Sequence, residues 1–123
     1  MTRAKLLKIL DLSSFIAIDF ETTGLSKYAD RIIEVAAILF EDGKPVDRFV
    51  TLVNPETQIS DEIIKITGIT NEMVCNSPTE KEIVQNLKDF ISNYPLVAHN
   101  TQFDEGFMNE LFVRHNKPKL NNI

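Results

Sequence analysis

Residues 15–25, FIAIDFETTGL, have the pattern of a buried strand that ends in polar residues. The run Phe15–Ile18 is apolar on both faces, which is typical of a central strand covered on both sides. Strand side chains alternate, so Asp19 and Glu21 point the same way with Cα atoms roughly 6 to 7 Å apart. Carboxylates this close repel unless a cation accompanies them. The stretch therefore indicates either a cation site or a strand that simply ends at the surface.

Length and composition predict one soluble domain. The chain has 123 residues, 43% hydrophobic and 25% charged, and we expect a leader or short helix over residues 1–13 and a domain over residues 14–123. A net charge of −5 disfavours a generic phosphate-binding surface. Cys75 is the only cysteine, and no apolar run approaches the ~20 residues that span a bilayer. These features predict a cytoplasmic protein without a membrane segment.

The remaining pattern predicts a mixed α/β domain. A strand over residues 31–41 turns through Glu41–Lys44 into a third strand, which gives an antiparallel meander. A capped helix ending at Gly68 and a second helix over residues 80–92 follow. Residues 95–98 then form a short strand that connects to a third helix ending near Asn116.

Asp104 is predicted to face the core of that third helix. It shares a helical face with Met108 and Leu111, four and seven positions on. Placement in the first turn also favours an acid through the helix dipole, but only by about 0.3 to 1 kcal/mol. The strand before the helix would bring Asp104 to the sheet edge where Asp19 and Glu21 emerge. Three converging carboxylates suit Mg²⁺ or Mn²⁺ rather than zinc.

Three blocks of sequence carry a resemblance to a known family. Residues 19–25, DFETTGL, resemble the first motif of the DEDD 3′ to 5′ exonucleases. Residues 66–70, ITGIT, resemble their middle signature, and residues 99–104, HNTQFD, resemble their second motif. The chain is most similar to the epsilon-type proofreading subunit or domain of bacterial DNA polymerase III, over about residues 14–123. The resemblance implies a ribonuclease H-like fold.

The resemblance also implies a function and a set of site residues. It implies a two-metal phosphodiesterase that removes nucleotides from the 3′ end of single-stranded DNA in proofreading or repair, alongside a polymerase subunit or domain. Asp19, Glu21 and Asp104 match the first three acidic ligands of the family for Mg²⁺ or Mn²⁺ and are the expected catalytic residues. The residues expected to border the terminal nucleotide are Thr22, Thr23, Gly24, Leu25, His99, Asn100 and Phe103.

The chain departs from the family pattern after its third helix. The family continues with a histidine or tyrosine and a fourth acidic ligand, whereas Asp104 is the last aspartate here. His115 has Leu120 five positions on, so we expect a solvated or dipole-stabilised histidine and not the general base. Residues 118–123 resemble the approach to another strand. The sequence therefore predicts a truncated domain without the last strand and helix, and a poorly active or inactive chain.

Two other functions stay open at this point. One is an exoribonuclease of the same fold, because no residue pattern in the sequence indicates whether the site contacts or excludes the 2′-hydroxyl that distinguishes RNA from DNA. A noncatalytic nucleic-acid or polymerase-binding module would explain the missing third motif. Its weakness is that a binding module has no need for repelling carboxylates.

Overall fold

A four-stranded sheet organises the computed structural model, which describes residues 13–120. The strands lie in the order β3-β2-β1-β4. β1 pairs with β2 and β2 with β3 in antiparallel fashion, while β4 runs parallel to β1, so the predicted meander followed by a parallel strand is confirmed. The bounds are Ser14–Thr22 for β1, Ile32–Glu41 for β2, Lys44–Leu52 for β3 and Leu96–Val97 for β4.

The turn between β2 and β3 has the conformation that its sequence demands. Asp42 and Gly43 both have positive φ, 50° and 80°. Two residues with positive φ form the tight turn whose twist matches that of paired strands. The predicted hairpin is therefore confirmed.

Within residues 13–120, four helices accompany the sheet: α1 (Asp61–Thr67), α2 (Asn71–Val74), α3 (Glu80–Ile91) and α4 (Thr101–Arg114). The Ser60 hydroxyl caps α1 by accepting from the Ile63 N–H, and Gly68 ends this helix at φ 74°. Asn100 caps α4 through the Phe103 N–H. The sequence did not predict α2, since four residues are too few to show a helical period.

One face of the sheet carries the main core. The buried side chains of β1 and β2 meet those of α3 and α4, so these two helices cover the same face. A smaller cluster, formed by Ile33, Ile59, Ile69 and Val74, anchors the α1–α2 region to β2. The main cluster includes Ile16, Ile18, Phe20, Val35, Leu87, Met108, Leu111 and Phe112.

A buried carboxylate ties the start of α3 to the end of α4. Glu80, only 6% exposed, accepts from Arg114 Nε at 3.2 Å and from a terminal Arg114 nitrogen at 3.0 Å. His115 Nε2 lies 3.3 Å from the same carboxylate. His115 is the C-cap of α4, as expected of a dipole-stabilised histidine, but it is not simply solvated, because α3 supplies a partner that the local sequence does not reveal.

Two expectations concern features beyond the sheet and helices. The predicted leader or helix over residues 1–13 lies, apart from Ser13, outside the described residues. Between residues 13 and 120, no helix combines the length and the apolar character needed to cross a membrane.

Candidate functional site

The end of β1 presents two carboxylates on one face of the sheet. Asp19 is exposed and Glu21 is half-buried, whereas Ile18 and Phe20 point into the core. This alternation is the strand period that the sequence predicted. The pairing with β2 shifts register between Glu21 and Thr22, where the chain leaves the regular ladder.

Asp104 reaches this strand from the first turn of α4. Its side chain is 4% exposed, and its Oδ1 atom accepts a hydrogen bond from the Phe20 N–H at 3.2 Å. Phe20 separates Asp19 from Glu21 in the sequence. A hydrogen bond to its backbone therefore seats the helix carboxylate beside both strand carboxylates, although 84 positions separate Asp104 from Phe20. The predicted inward face of Asp104 is confirmed by its burial.

The carboxylates interact electrostatically. Loss of water contact is the main reason that the pKa of Asp104 rises from 3.8 to about 6, and the charges of Asp19 and Glu21 raise it further. The Phe20 N–H and the nearby His99 act in the opposite direction. Burial likewise raises the pKa of Glu21, with added repulsion from Asp19 and Glu34. The site therefore holds excess negative charge.

The donor chemistry of this cluster fits a hard divalent cation. All its ligand atoms are carboxylate oxygens, and a cation would relieve the repulsion that raises the two pKa values. Within the described range, however, no three histidine, cysteine, aspartate or glutamate side chains are gathered closely enough to hold an ion.

Two adjoining clefts open beside the carboxylates. The first, of about 450 Å³, runs from Glu21 along the β1–β2 loop to the apolar side chains Ile63 and Ile66 of α1. The second, of about 440 Å³, lies between the same loop and the start of α4 and includes Tyr28. Leu25 and Phe103 line both clefts and so form their common border.

Other residues were also expected to border the nucleotide. Some of them line the clefts, and some stabilise the cleft walls. Thr22, Thr23 and Gly24 line the first cleft and Asn100 the second. The Thr22 hydroxyl donates to the Gly24 carbonyl at 2.6 Å, so it stabilises the turn. Asn100 caps α4 while it borders the cleft. His99 is exposed and acts on Asp104 through its charge.

Phe103 and Leu25 differ in how firmly they are held. The Phe103 ring is half-buried and packs against the Phe107 ring, with centroids 4.8 Å apart, so it belongs to both the core and the cleft walls. Leu25 is 88% exposed. An apolar side chain that projects from a loop beside two clefts is available to contact a ligand.

Sequence reasoning missed three features of the site. Glu34 pairs with Glu21 across β1 and β2, and only the strand register reveals this contact. Ile66, 72% exposed, lines the first cleft. Ile66 begins the block ITGIT that resembles the middle signature of the family, but that resemblance implied no contact for its side chain. Asp30 organises the loop that carries Leu25, and its position before β2 gave no hint of that role.

Comparison with known proteins identifies relatives of this domain. Residues 16–123 match the exonuclease (RNase T) family. The chain is 37% identical over 115 residues to the PolC-type DNA polymerase III of Bacillus cereus. The aligned region covers 94% of this chain and 8% of that protein. It is 42% identical over 96 residues to the PolC-type enzyme of Thermotoga petrophila, covering 78% of this chain and 7% of the relative. The chain thus spans less than a tenth of these relatives.

Solved structures agree with the fold. Escherichia coli exonuclease I in complex with a dT13 oligonucleotide superposes with a TM-score of 0.78 at 21% identity, covering 87% of this chain and 25% of that one. Exonuclease I without ligand gives the same TM-score and identity and covers 26% of its own chain. These likenesses confirm the predicted ribonuclease H-like fold. The match over residues 16–123 shows that the chain belongs to the exonuclease family.

Proposed function

We propose that this domain removes nucleotides from the 3′ end of single-stranded DNA, with Mg²⁺ or Mn²⁺, in proofreading by a DNA polymerase. The observation that carries the proposal is the hydrogen bond from the Phe20 N–H to Asp104, which joins a helix carboxylate to the carboxylates of β1. PolC-type DNA polymerase III enzymes are its relatives, which supports DNA as the substrate and a polymerase as the partner.

Asp19, Glu21 and Asp104 are the proposed metal ligands. When bound, the divalent ions would supply the Lewis acidity that activates a water and stabilises the departing oxygen. Ions held by these carboxylates would make the site attractive to a phosphate, while the rest of the acidic surface repels nucleic acid. Nucleic-acid binding would therefore be confined to this site. Because protonation of Asp104 competes with a metal, the raised pKa of about 6 predicts weaker metal binding below that pH.

The first cleft is the proposed site of the terminal nucleotide. Its walls combine the carboxylate Glu21 with the apolar side chains Leu25, Ile63, Ile66 and Phe103. An apolar surface favours the faces of a base, and a cation bound by the neighbouring carboxylates would attract the phosphate. This arrangement suits an unpaired 3′ end, since a paired base would not be free to enter the cleft.

A noncatalytic nucleic-acid or polymerase-binding module is the second candidate. It is favoured by the absence, among residues 13–120, of a gathered three-residue ligand set. The two candidates differ in what Asp19 does. In the enzyme it holds metal, and in the module it is dispensable.

Metal binding and strand digestion test the proposal together. A 5′-labelled single strand incubated with Mn²⁺ should yield, at the low rate expected of this chain, products shortened stepwise from the 3′ end, and matched RNA should be digested more slowly still. Mn²⁺ at 100 times its dissociation constant should raise the free energy of unfolding by about 2.7 kcal/mol. This second measurement does not depend on turnover.

Asp19→Ala separates the candidates, with Asp47→Ala as the matched control on the exposed edge strand β3. Loss of both Mn²⁺ stabilisation and digestion in Asp19→Ala alone supports the enzyme. Unchanged Mn²⁺ response together with unchanged oligonucleotide affinity supports the module. Preference for RNA over DNA would assign the domain to the exoribonucleases.

A further inference from the structure

The β1–β2 loop, residues 23–31, holds Leu25 in an exposed position that needs an explanation. This connection is longer than the two-residue turns that most often join antiparallel strands. Leu25 is 88% exposed yet borders both clefts. A loop with no internal restraint would let this apolar side chain collapse onto its surroundings. The restraints therefore decide where Leu25 lies.

Asp30 supplies the main restraint. One carboxylate oxygen accepts from the Thr23 hydroxyl at 3.1 Å, and the other accepts from the Ser26 N–H at 2.9 Å. The Asp30 N–H in turn donates to the Ser26 carbonyl at 2.7 Å. A single side chain thus connects the residues on either side of the segment that carries Leu25. Hydrogen bonds to an ionised carboxylate are about twice as strong as neutral ones.

Thr23 and Gly24 complete the restraint on the other side of Leu25. The Thr23 hydroxyl accepts from the Arg31 N–H at 3.0 Å, and the Thr23 N–H donates to the Arg31 carbonyl at 2.8 Å. A Cβ atom on Gly24 would lie 2.7 Å from Asp30 Cγ, a distance that side chains do not tolerate. Glycine is therefore required for the backbone to approach Asp30 this closely.

We infer that Asp30 is a positioning residue for the substrate, acting through Leu25. This inference rests on the proposed function. Asp30 does not line either cleft in the part of the chain that the structure describes, so it has no direct route to a nucleotide. Its hydrogen bonds fix Thr23 and Ser26, and the Leu25 side chain in the segment between them stays at the common border of the clefts. A pre-positioned side chain avoids the ordering cost that a mobile loop would incur on binding.

The test uses Asp30→Ala and the affinity for a fluorescein-labelled thymidine tetranucleotide, measured by anisotropy with Ca²⁺ in place of Mn²⁺. We expect about a 10-fold loss of affinity, the order of magnitude for freeing one loop segment. In digestion assays KM should rise while kcat changes little, because the contact is the same in the bound and the reacting states. Asp30→Asn retains one acceptor oxygen, so its affinity for the oligonucleotide should lie between those of the wild type and Asp30→Ala.

A double-mutant cycle distinguishes positioning from a general structural role. If Asp30 acts through Leu25, then Asp30→Ala should cause little further loss in a Leu25→Ala background. An undiminished loss in that background would overturn the inference. Asp47→Ala is the control, because the Asp47 carboxylate makes a local bond to the Arg48 N–H on β3, away from the clefts.

Amide exchange provides a test that needs no substrate. The Ser26 N–H should be protected in the wild-type chain and lose protection in Asp30→Ala, while the amides of β1 keep theirs. Exchange of Ser26 at the rate of a free peptide in the wild type would also overturn the inference. Failure of the wild type to bind any oligonucleotide would instead overturn the proposed function. A wild type that binds, with an Asp30→Ala variant that binds equally well, would overturn only the role of Asp30.

Discussion

Replacing Asp104 by asparagine should stabilise this protein in the absence of metal. The fold raises the pKa of Asp104 from 3.8 to about 6, so ionisation at pH 7 opposes folding. That difference corresponds to at most about 3 kcal/mol, and water at the cleft screens part of it. The variant also loses the attraction between a carboxylate and the helix N-terminus, about 0.3 to 1 kcal/mol. We therefore expect a net gain of about 1 to 2 kcal/mol.

The pH dependence of that gain identifies its cause. A raised folded-state pKa means that the folded protein binds the proton more tightly than the unfolded chain does. The wild type consequently loses this part of its stability as pH rises from about 4 through 6, whereas in Asp104→Asn only the raised pKa of Glu21 contributes such a loss. The gain should be complete above pH 6 and absent below pH 4.

Urea unfolding in chelator, from pH 3.5 to pH 8, measures the effect. Glu105→Gln is the matched control, since it removes one negative charge from the next position of α4 and should change stability by no more than about 0.5 kcal/mol. Adding Mn²⁺ should reverse the order, because only the wild type keeps the proposed metal ligand Asp104. The reasoning fails if Asp104→Asn is less stable than the wild type at pH 7 in chelator, or if its gain is equal at pH 3.5 and pH 7.

Other substitutions test separate parts of the structure. Glu34→Gln should lower the pKa of Glu21, because it removes one source of repulsion, and carboxyl NMR titration would show no change if the cross-strand contact is absent. Glu80→Ala should lower the free energy of unfolding by about 3 kcal/mol, since it leaves Arg114 partly buried without its partner, and a loss below 1 kcal/mol in urea would contradict this. Gly68→Ala should lower the free energy of unfolding by about 1 kcal/mol because φ at this position is 74°, although no atom lies within 4 Å of the added methyl. An unchanged stability in thermal unfolding would exclude this backbone strain.

Much of the fold followed from local sequence. The apolar run before Asp19, the Asp42-Gly43 turn and the cap residues Ser60 and Asn100 each produced the predicted element. Each of these signals depends on the conformation of a few adjacent residues. The α2 helix escaped prediction because its caps lie almost next to each other and no apolar period develops between them.

The candidate site was predictable only where its residues obey a short period. Strand alternation placed Asp19 and Glu21 together, and helical spacing turned Asp104 inward. Glu34 was missed because its relation to Glu21 depends on which residues of β1 and β2 face each other. The cleft contact of Ile66 was missed because the resemblance of residues 66–70 to the middle signature implies no contact for an individual side chain.

The sequence by itself determined the order of the strands and of the three longer helices, the faces of Asp19, Glu21 and Asp104, and the turn between β2 and β3, because these depend on backbone preferences within a few residues. Only the tertiary structure decided that Asp104 meets the Phe20 N–H and that Glu80 pairs with Arg114 and His115. Such contacts depend on strand register and helix packing, which join residues far apart in the chain. Loss of water contact on packing also sets the pKa of Asp104, which no local pattern encodes.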